Sequence, residues 1–280
     1  MRRSLSEAAN YVLGQFGRFG VTVPERSRIK TMYRSVCNDD GSSRGWIPEN
    51  DPNFDIAREA LRDFKQLEFF FDQIGNDALK AEYLSLLNRI ASDSDSVLPQ
   101  DDDQNSPSRD AHAEAFVFAV CRNAGTTPIL AEPDITCQVR GKTFSVAVKR
   151  IKNLSKLKTR VAKAGEQIHK SGLPGIICVE VTQAVNQAND YIYTNQSEQN
   201  LKRWWTDKMR LTTNTFLEDV QSEETRGILL HEHCPVRFPD GQYFLRSMTY
   251  GISTGKDGNQ KDEWNQFKNA FITGLPNLII

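Results

Sequence analysis

The sequence predicts an α/β protein with a helical N-terminal region, an acidic linker and a mixed β-sheet core flanked by helices. Three observations predict it. Apolar residues recur at three-and-four spacing through residues 1–91, the period of an amphipathic helix. Two segments of alternating polarity, 135–139 and 144–148, flank a glycine and read as a β-hairpin. A basic helical segment then leads into residues 176–181, which are apolar at nearly every position. That is how a central strand covered on both faces reads.

The composition sets the class. The chain has 280 residues, 39% hydrophobic and 25% charged, with a mean hydropathy of -0.53. Those values are ordinary for a soluble globular protein of one or two domains. No apolar run approaches the roughly 20 residues that cross a bilayer. The start, MRRSLSEAANYVLGQFG, has no apolar segment or cleavage site of a secretory signal. A cytoplasmic protein without a membrane partner is expected. Cys37, Cys121, Cys137, Cys178 and Cys234 are odd in number and dispersed. They read as reduced thiols, not as a disulfide framework.

In chain order, residues 1–91 form an expected helical domain. Ala8, Val12, Leu13 and Phe16 share a stripe before Gly17 and Gly20. Residues 38–53, rich in Asp, Gly, Ser, Asn and Pro, read as loop. A helix over about 54–74 carries Ile56, Leu61, Phe64 and Leu67 into Phe69-Phe70-Phe71, and Gly75-Asn76 stops it. A helix over about 77–91 follows, with Leu79, Tyr83, Leu84, Leu87 and Ile90 on one stripe. These aromatics read as core. Residues 92–108, SDSDSVLPQDDDQNSPS, form an acidic linker and a domain boundary, and residues 109–280 form the second domain. Beyond the central stretch, 186–198 is polar loop. A helix over about 198–223 carries Leu201, Trp204, Trp205, Met209, Leu211 and Phe216. Strands over 227–231 and 243–248 join through Pro239-Asp240-Gly241, and a last helix covers about 261–272. No internal repeat is visible.

Charge is distributed unevenly. The net charge is -1, yet between Arg140 and Ser171 ten Lys/Arg stand against one Glu. Between Ser92 and Asp110 six Asp stand against one Arg. Positive charge concentrated in one segment is an electrostatic footprint for an anionic partner, although a charge run is more often a solvated face.

The chemistry-bearing residues sit between Ala111 and Gln183. Glu114 lies on an apolar helical segment, HAEAFVFAV, sharing a face with Ala111, Phe118 and Cys121. A carboxylate there calls for a partner or a metal; Ser108 and Asp110 are the expected helix caps. In the hairpin, either Arg140-Gly141 or Gly141-Lys142 serves as the turn. Both registers place Asp134, Ala147 and Lys149 on one face, away from the apolar set. An Asp and a Lys therefore converge at the ends of neighbouring strands, as an ordinary cross-strand pair would too.

A helix acid, Pro133-Asp134, a hairpin ending in x-Lys149, a helix and a buried strand together resemble the PD-(D/E)XK superfamily, the restriction-endonuclease-like fold. The resemblance covers about seventy of the 280 residues. It implies a metal-dependent nuclease, an endonuclease acting on double-stranded DNA. Mg²⁺ or Mn²⁺ is the implied cofactor, with Glu114 and Asp134 as metal ligands. Lys149 matches the Lys that activates water and stabilises phosphate charge, and Gln167 matches a helix Gln of some branches. Arg150, Lys152, Lys156, Lys158, Arg160 and Lys163 would follow the phosphate backbone. By analogy, such a protein suits a prokaryotic defence effector, as a homo-oligomer or within a larger complex.

The sequence departs from that pattern at Ala147, where the family has an acid. A methyl group offers a hard cation no oxygen. Three explanations stand: an inactivating substitution, which is the preferred one; a degenerate fold acting as a nucleic-acid-binding or scaffold subunit; or a carboxylate from elsewhere, with Glu132 and Glu180 nearest. Other motifs carry less. His231 and His233 share a strand face and suit zinc, but no second ligand pair has typical spacing. His112 and His169 read as structural residues or phosphate contacts. Trp204-Trp205 suits base stacking, or one tryptophan in the core and one at an interface. GISTGKDG lacks the spacing of a phosphate-binding loop.

Overall fold

The computed structural model describes residues 3–45, 47, 50–75, 81–92, 106–185, 192–193, 198–213, 223–237, 243–276 and 278–279. The chain forms two compact units, residues 1–116 with 278–280, and residues 117–277. The stretch 93–105 of the expected linker, Phe216 and the expected turn at 239–241 lie outside the described residues.

The first unit is helical: α1 (Leu5–Arg18), α2 (Arg28–Val36), α3 (Phe54–Ile74), α4 (Ala81–Ala91) and the first part of α5 (Pro107–Asn123), which continues into the second unit. A capping box starts α1: the Ser4 hydroxyl accepts the Glu7 N–H, and the Glu7 carboxylate takes the Ser4 N–H at 2.6 Å. On α3, Phe64, Phe70 and Phe71 are buried, with Phe71 edge-on to Phe16 at 5.5 Å. This helix also buries Arg58, Glu59, Arg62, Asp63 and Lys65. Arg62 spans Glu59 and Asp63, the latter at 3.0 Å, and Arg28 also donates to Asp63. Burial raises the Asp63 pKa, but the charges of Arg62 and Arg28 more than reverse this and hold it far below the usual range. The start of α5 is capped by Ser106, not by Ser108 or Asp110. Pro107 opens the first turn, and the Ser106 hydroxyl accepts the Arg109 N–H at 3.4 Å.

The second unit is α/β, built on one mixed sheet. Its elements in chain order are β1 (Ile129–Ala131), β2 (Asp134–Val139), β3 (Lys142–Arg150), a 3₁₀ turn (Leu154–Lys156), α6 (Leu157–Ser171), β4 (Gly175–Glu180), α7 (Thr182–Val185), β5 (Ile192–Tyr193), α8 (Glu198–Thr213), β6 (Thr225–Arg237), β7 (Tyr243–Ser253) and α9 (Gly258–Gly274). The strand order is β1-β2-β3-β4-β6-β7, with β5 beside β6. The first three strands are antiparallel, β3, β4 and β6 run parallel, and β7 is antiparallel to β6. The crossover β3-α6-β4 is the expected helix between parallel strands.

The hairpin turn is Arg140-Gly141, because Val139 pairs with Lys142. Both turn residues have positive φ, 50° and 80°, as a two-residue type I′ turn requires. One face of the sheet packs Ala147, Ile177, Val179, Ile228 and Leu230 against Val161, Ala164 and Ile168 of α6 and against Trp205 of α8. The other face meets α9, where Phe144 lies 5.7 Å from Phe267. Both β6 and β7 extend further than their apolar cores predict. Gly251 lies in the added stretch of β7, and Gly227 and Gly251 both lie flat against Trp264, where a Cβ on Gly227 would come within 2.2 Å of the indole. Among the described residues, no helix is long and apolar enough to cross a membrane.

Candidate functional site

Asp134 opens β2, and Lys149 is the penultimate residue of β3. The register pairs Ile135 with Val146, so Asp134 stands opposite Ala147. The Val148 N–H donates to Asp134 Oδ2 at 2.7 Å. Lys149 Nζ donates to the same oxygen at 3.1 Å and to the Val148 carbonyl at 2.9 Å. Both side chains keep a small exposure, 15% for Lys149 and 14% for Asp134, so this ammonium is held in place yet reachable from solvent.

Ala147 does not face away from the apolar set, as the hairpin pattern predicts. It is fully buried in the cluster under α6. Strand alternation alone does not reveal which face a following helix will cover. Of the two nearby carboxylates, Glu180 belongs to the opposite face. It pairs in register with Arg150, whereas Lys149 pairs with Val179. Glu132 is exposed in the turn before β2.

Glu114 lies in the first unit, 8% exposed. Its carboxylate takes Arg89 Nη1 at 3.1 Å and Arg89 Nη2 at 2.5 Å. A bidentate partner thus offsets the burial of this acid.

Gln167 is not at the Asp134–Lys149 end of the sheet. The C-terminal half of α6 runs along the start of β3 and β4: Ile168 abuts Gly175, and the Ser171 hydroxyl reaches Ser145 at 3.1 Å. Lys149 is four residues beyond Ser145, about 13 Å at roughly 3.3 Å per residue. The Gln167 Oε1 is buried without a hydrogen-bond partner.

Arg150 is also misplaced as a phosphate contact. Its neighbour in the strand points to one face and Arg150 to the other, where it donates to Gln183 Oε1 and lies 3.9 Å from Glu180. Its side chain is 6% exposed. Lys156, Lys158 and Lys163 are exposed, and Lys152 and Arg160 are half-buried. Lys152, Lys156 and Lys158 emerge beside the end of β3, where α6 begins without an acid in its first turn. Its N-terminal dipole therefore adds to their positive potential.

The donors at Asp134 do not fit Mg²⁺ or Mn²⁺. Ala147 contributes no oxygen, Glu180 is on the wrong face, and Asp134 Oδ2 already takes two donors. Such ions need about six oxygen ligands in all, with more than one carboxylate at a hydrolytic site. Among the described residues, no group of three or more His, Cys, Asp and Glu is placed to hold a metal. His231 and His233 are hydrogen-bonded to each other, Nδ1 to Nε2 at 3.0 Å. Trp205 is buried, with its indole N–H on Glu232, while Trp204 is 48% exposed beneath Lys208. No protein-family model, curated protein or solved structure matches the chain.

Proposed function

We propose that the second unit is a nuclease-like module that binds nucleic acid along its phosphate backbone, with a hydrolytic centre lacking one acid at position 147. The supporting observation is the contact of Asp134 with Lys149, with Ala147 opposite Asp134 and with the exposed Lys156 and Lys158 and the half-buried Lys152 at the same end of the sheet. The restriction-endonuclease-like reading rests on these residues in their chain order. Lys149 Nζ, fixed by Asp134 and the Val148 carbonyl, is a preoriented donor for a phosphate oxygen. The lysines beside it neutralise neighbouring phosphates. Double-stranded DNA is the preferred ligand in this reading.

On this proposal the chain retains plasmid DNA but does not cut it. Gel retardation of linear duplex and nicking of supercoiled plasmid in Mg²⁺ or Mn²⁺ test both halves. Ala147→Glu should produce nicked plasmid only with the divalent ion. Absence of cleavage with Glu or Asp at 147, in folded protein, overturns the hydrolytic half. Retention unaffected by Lys156→Glu with Lys158→Glu overturns the binding half.

A further inference from the structure

Ser247 on β7 pairs across the strands with His233 on β6. Its hydroxyl lies 3.0 Å from His233 Nδ1. His233 Nε2 lies 3.0 Å from His231 Nδ1. Both imidazoles are buried, and the His233 backbone N–H is pinned on the Thr182 hydroxyl at 3.0 Å. His231 packs its ring 6.2 Å from Phe271 and stands in register beside Glu180. The chain of hydrogen bonds ends at a surface: Ser247 lines a cavity of about 540 Å³, together with Arg246, Lys202, Thr249 and apolar Ile272 and Leu275.

We propose that Ser247 is a nucleophile for acyl transfer, with His233 as its general base and His231 as a positioning residue. The cavity would admit small esters with an apolar body, which Ile272 and Leu275 would meet. This site is independent of the nucleic-acid reading.

A nucleophile needs a base in hydrogen-bond reach and a third group to orient that base. On this proposal the proton of His231 sits on Nε2. His231 Nδ1 then accepts from His233 Nε2–H, leaving His233 Nδ1 to accept from the serine hydroxyl. In the reaction, Ser247 Oγ bonds to the acyl carbon and its proton passes to His233 Nδ1. The ester C–O bond breaks, and the alcohol leaves with that proton. Water, deprotonated by the same nitrogen, then releases the acid and restores Ser247, so the net change is ester plus water to acid plus alcohol.

A fluorophosphonate probe on the full chain tests this, because phosphorylation of the serine expels fluoride and needs the same base. The expected result is one label on the peptide containing Ser247, absent in Ser247→Ala. Labelling should slow about 100-fold in His233→Gln with the thermal midpoint retained. Should that variant not fold, His231→Asn replaces it and should label more slowly than the parent. An unlabelled Ser247 in folded protein, or equal rates in the folded histidine variant, overturns the proposal.

Discussion

Burial removes the His231 imidazole from water and lowers its pKa to about 4, with Glu180 pulling weakly the other way. In the unfolded chain a histidine titrates near 6.5, so between those values the unfolded state binds the extra proton. The folded pKa is the lower one, and stability therefore rises with pH through that window and is lost as pH falls from about 6.5 toward 4. The loss is on the order of 3 kcal/mol. Urea unfolding at pH 7.5 and pH 5 should show about 2 kcal/mol of it, and His231→Gln should flatten the dependence. An equal slope in parent and variant would count against it. Glu263 acts in a lower window. Burial raises its pKa, but Lys142 and Arg226 more than offset this and hold it below the ordinary range. Its contribution is present above about pH 4.5 and falls away beneath that. At this scale the Asp134–Lys149 contact was legible, because strand parity needs only local sequence. The burial of Arg150 was not, because its partners Glu180 and Gln183 come from elements thirty or more residues away in the chain.

The helix α3 shows what periodicity misses. Ile56, Leu61, Phe64 and Leu67 mark one apolar stripe, and the charged residues between them read as solvent-facing. With α1 and α2 packed on this helix, Arg62 and Asp63 are buried as well. Removing one partner of a buried ion cluster leaves the others uncompensated, at a cost of about 3–5 kcal/mol. Asp63→Asn, which removes the buried negative charge shared by Arg28 and Arg62, should lose about that much in a denaturant or thermal melt. A change within about 0.5 kcal/mol, the usual range for a surface substitution, would show that α3 does not depend on the cluster. In the hairpin, sequence left two turns open, and positive φ at Arg140 and Gly141 decides between them. For α6, the spacing of Val161, Ala164 and Ile168 reveals the buried face. Only the crossover geometry reveals that Gln167 sits at the far end from Lys149.

Across the whole molecule, charge segregation matters more than the near-neutral total. If Lys152, Lys156, Lys158 and Lys163 each neutralise one phosphate, the plot of log affinity against log salt should have a slope of about -3.6 on duplex DNA. Each Lys→Ala change should reduce that slope by about 0.9 and weaken unrelated sequences alike. Arg150→Ala should leave the slope unchanged, its guanidinium being engaged with Gln183. A slope near zero for the parent would rule out backbone binding by this segment. The α/β class and the order of helix, hairpin, helix and strand were legible from pattern alone. The division at residues 116 and 117 was not, because it falls within the continuous helix α5 and follows tertiary packing instead of composition.

Trp204 and Trp205 are consecutive in the chain but occupy opposite optical environments. Trp205 lies in the wall of the cavity with its indole N–H on a carboxylate, while Trp204 faces water. A buried indole emits toward the blue and resists iodide, whereas an exposed one emits toward the red and is quenched. Replacing Trp204 with phenylalanine would silence the outward lamp, and the change in emission that then accompanies filling of the cavity would come from Trp205 in its wall, over a constant background from Trp46 and Trp264.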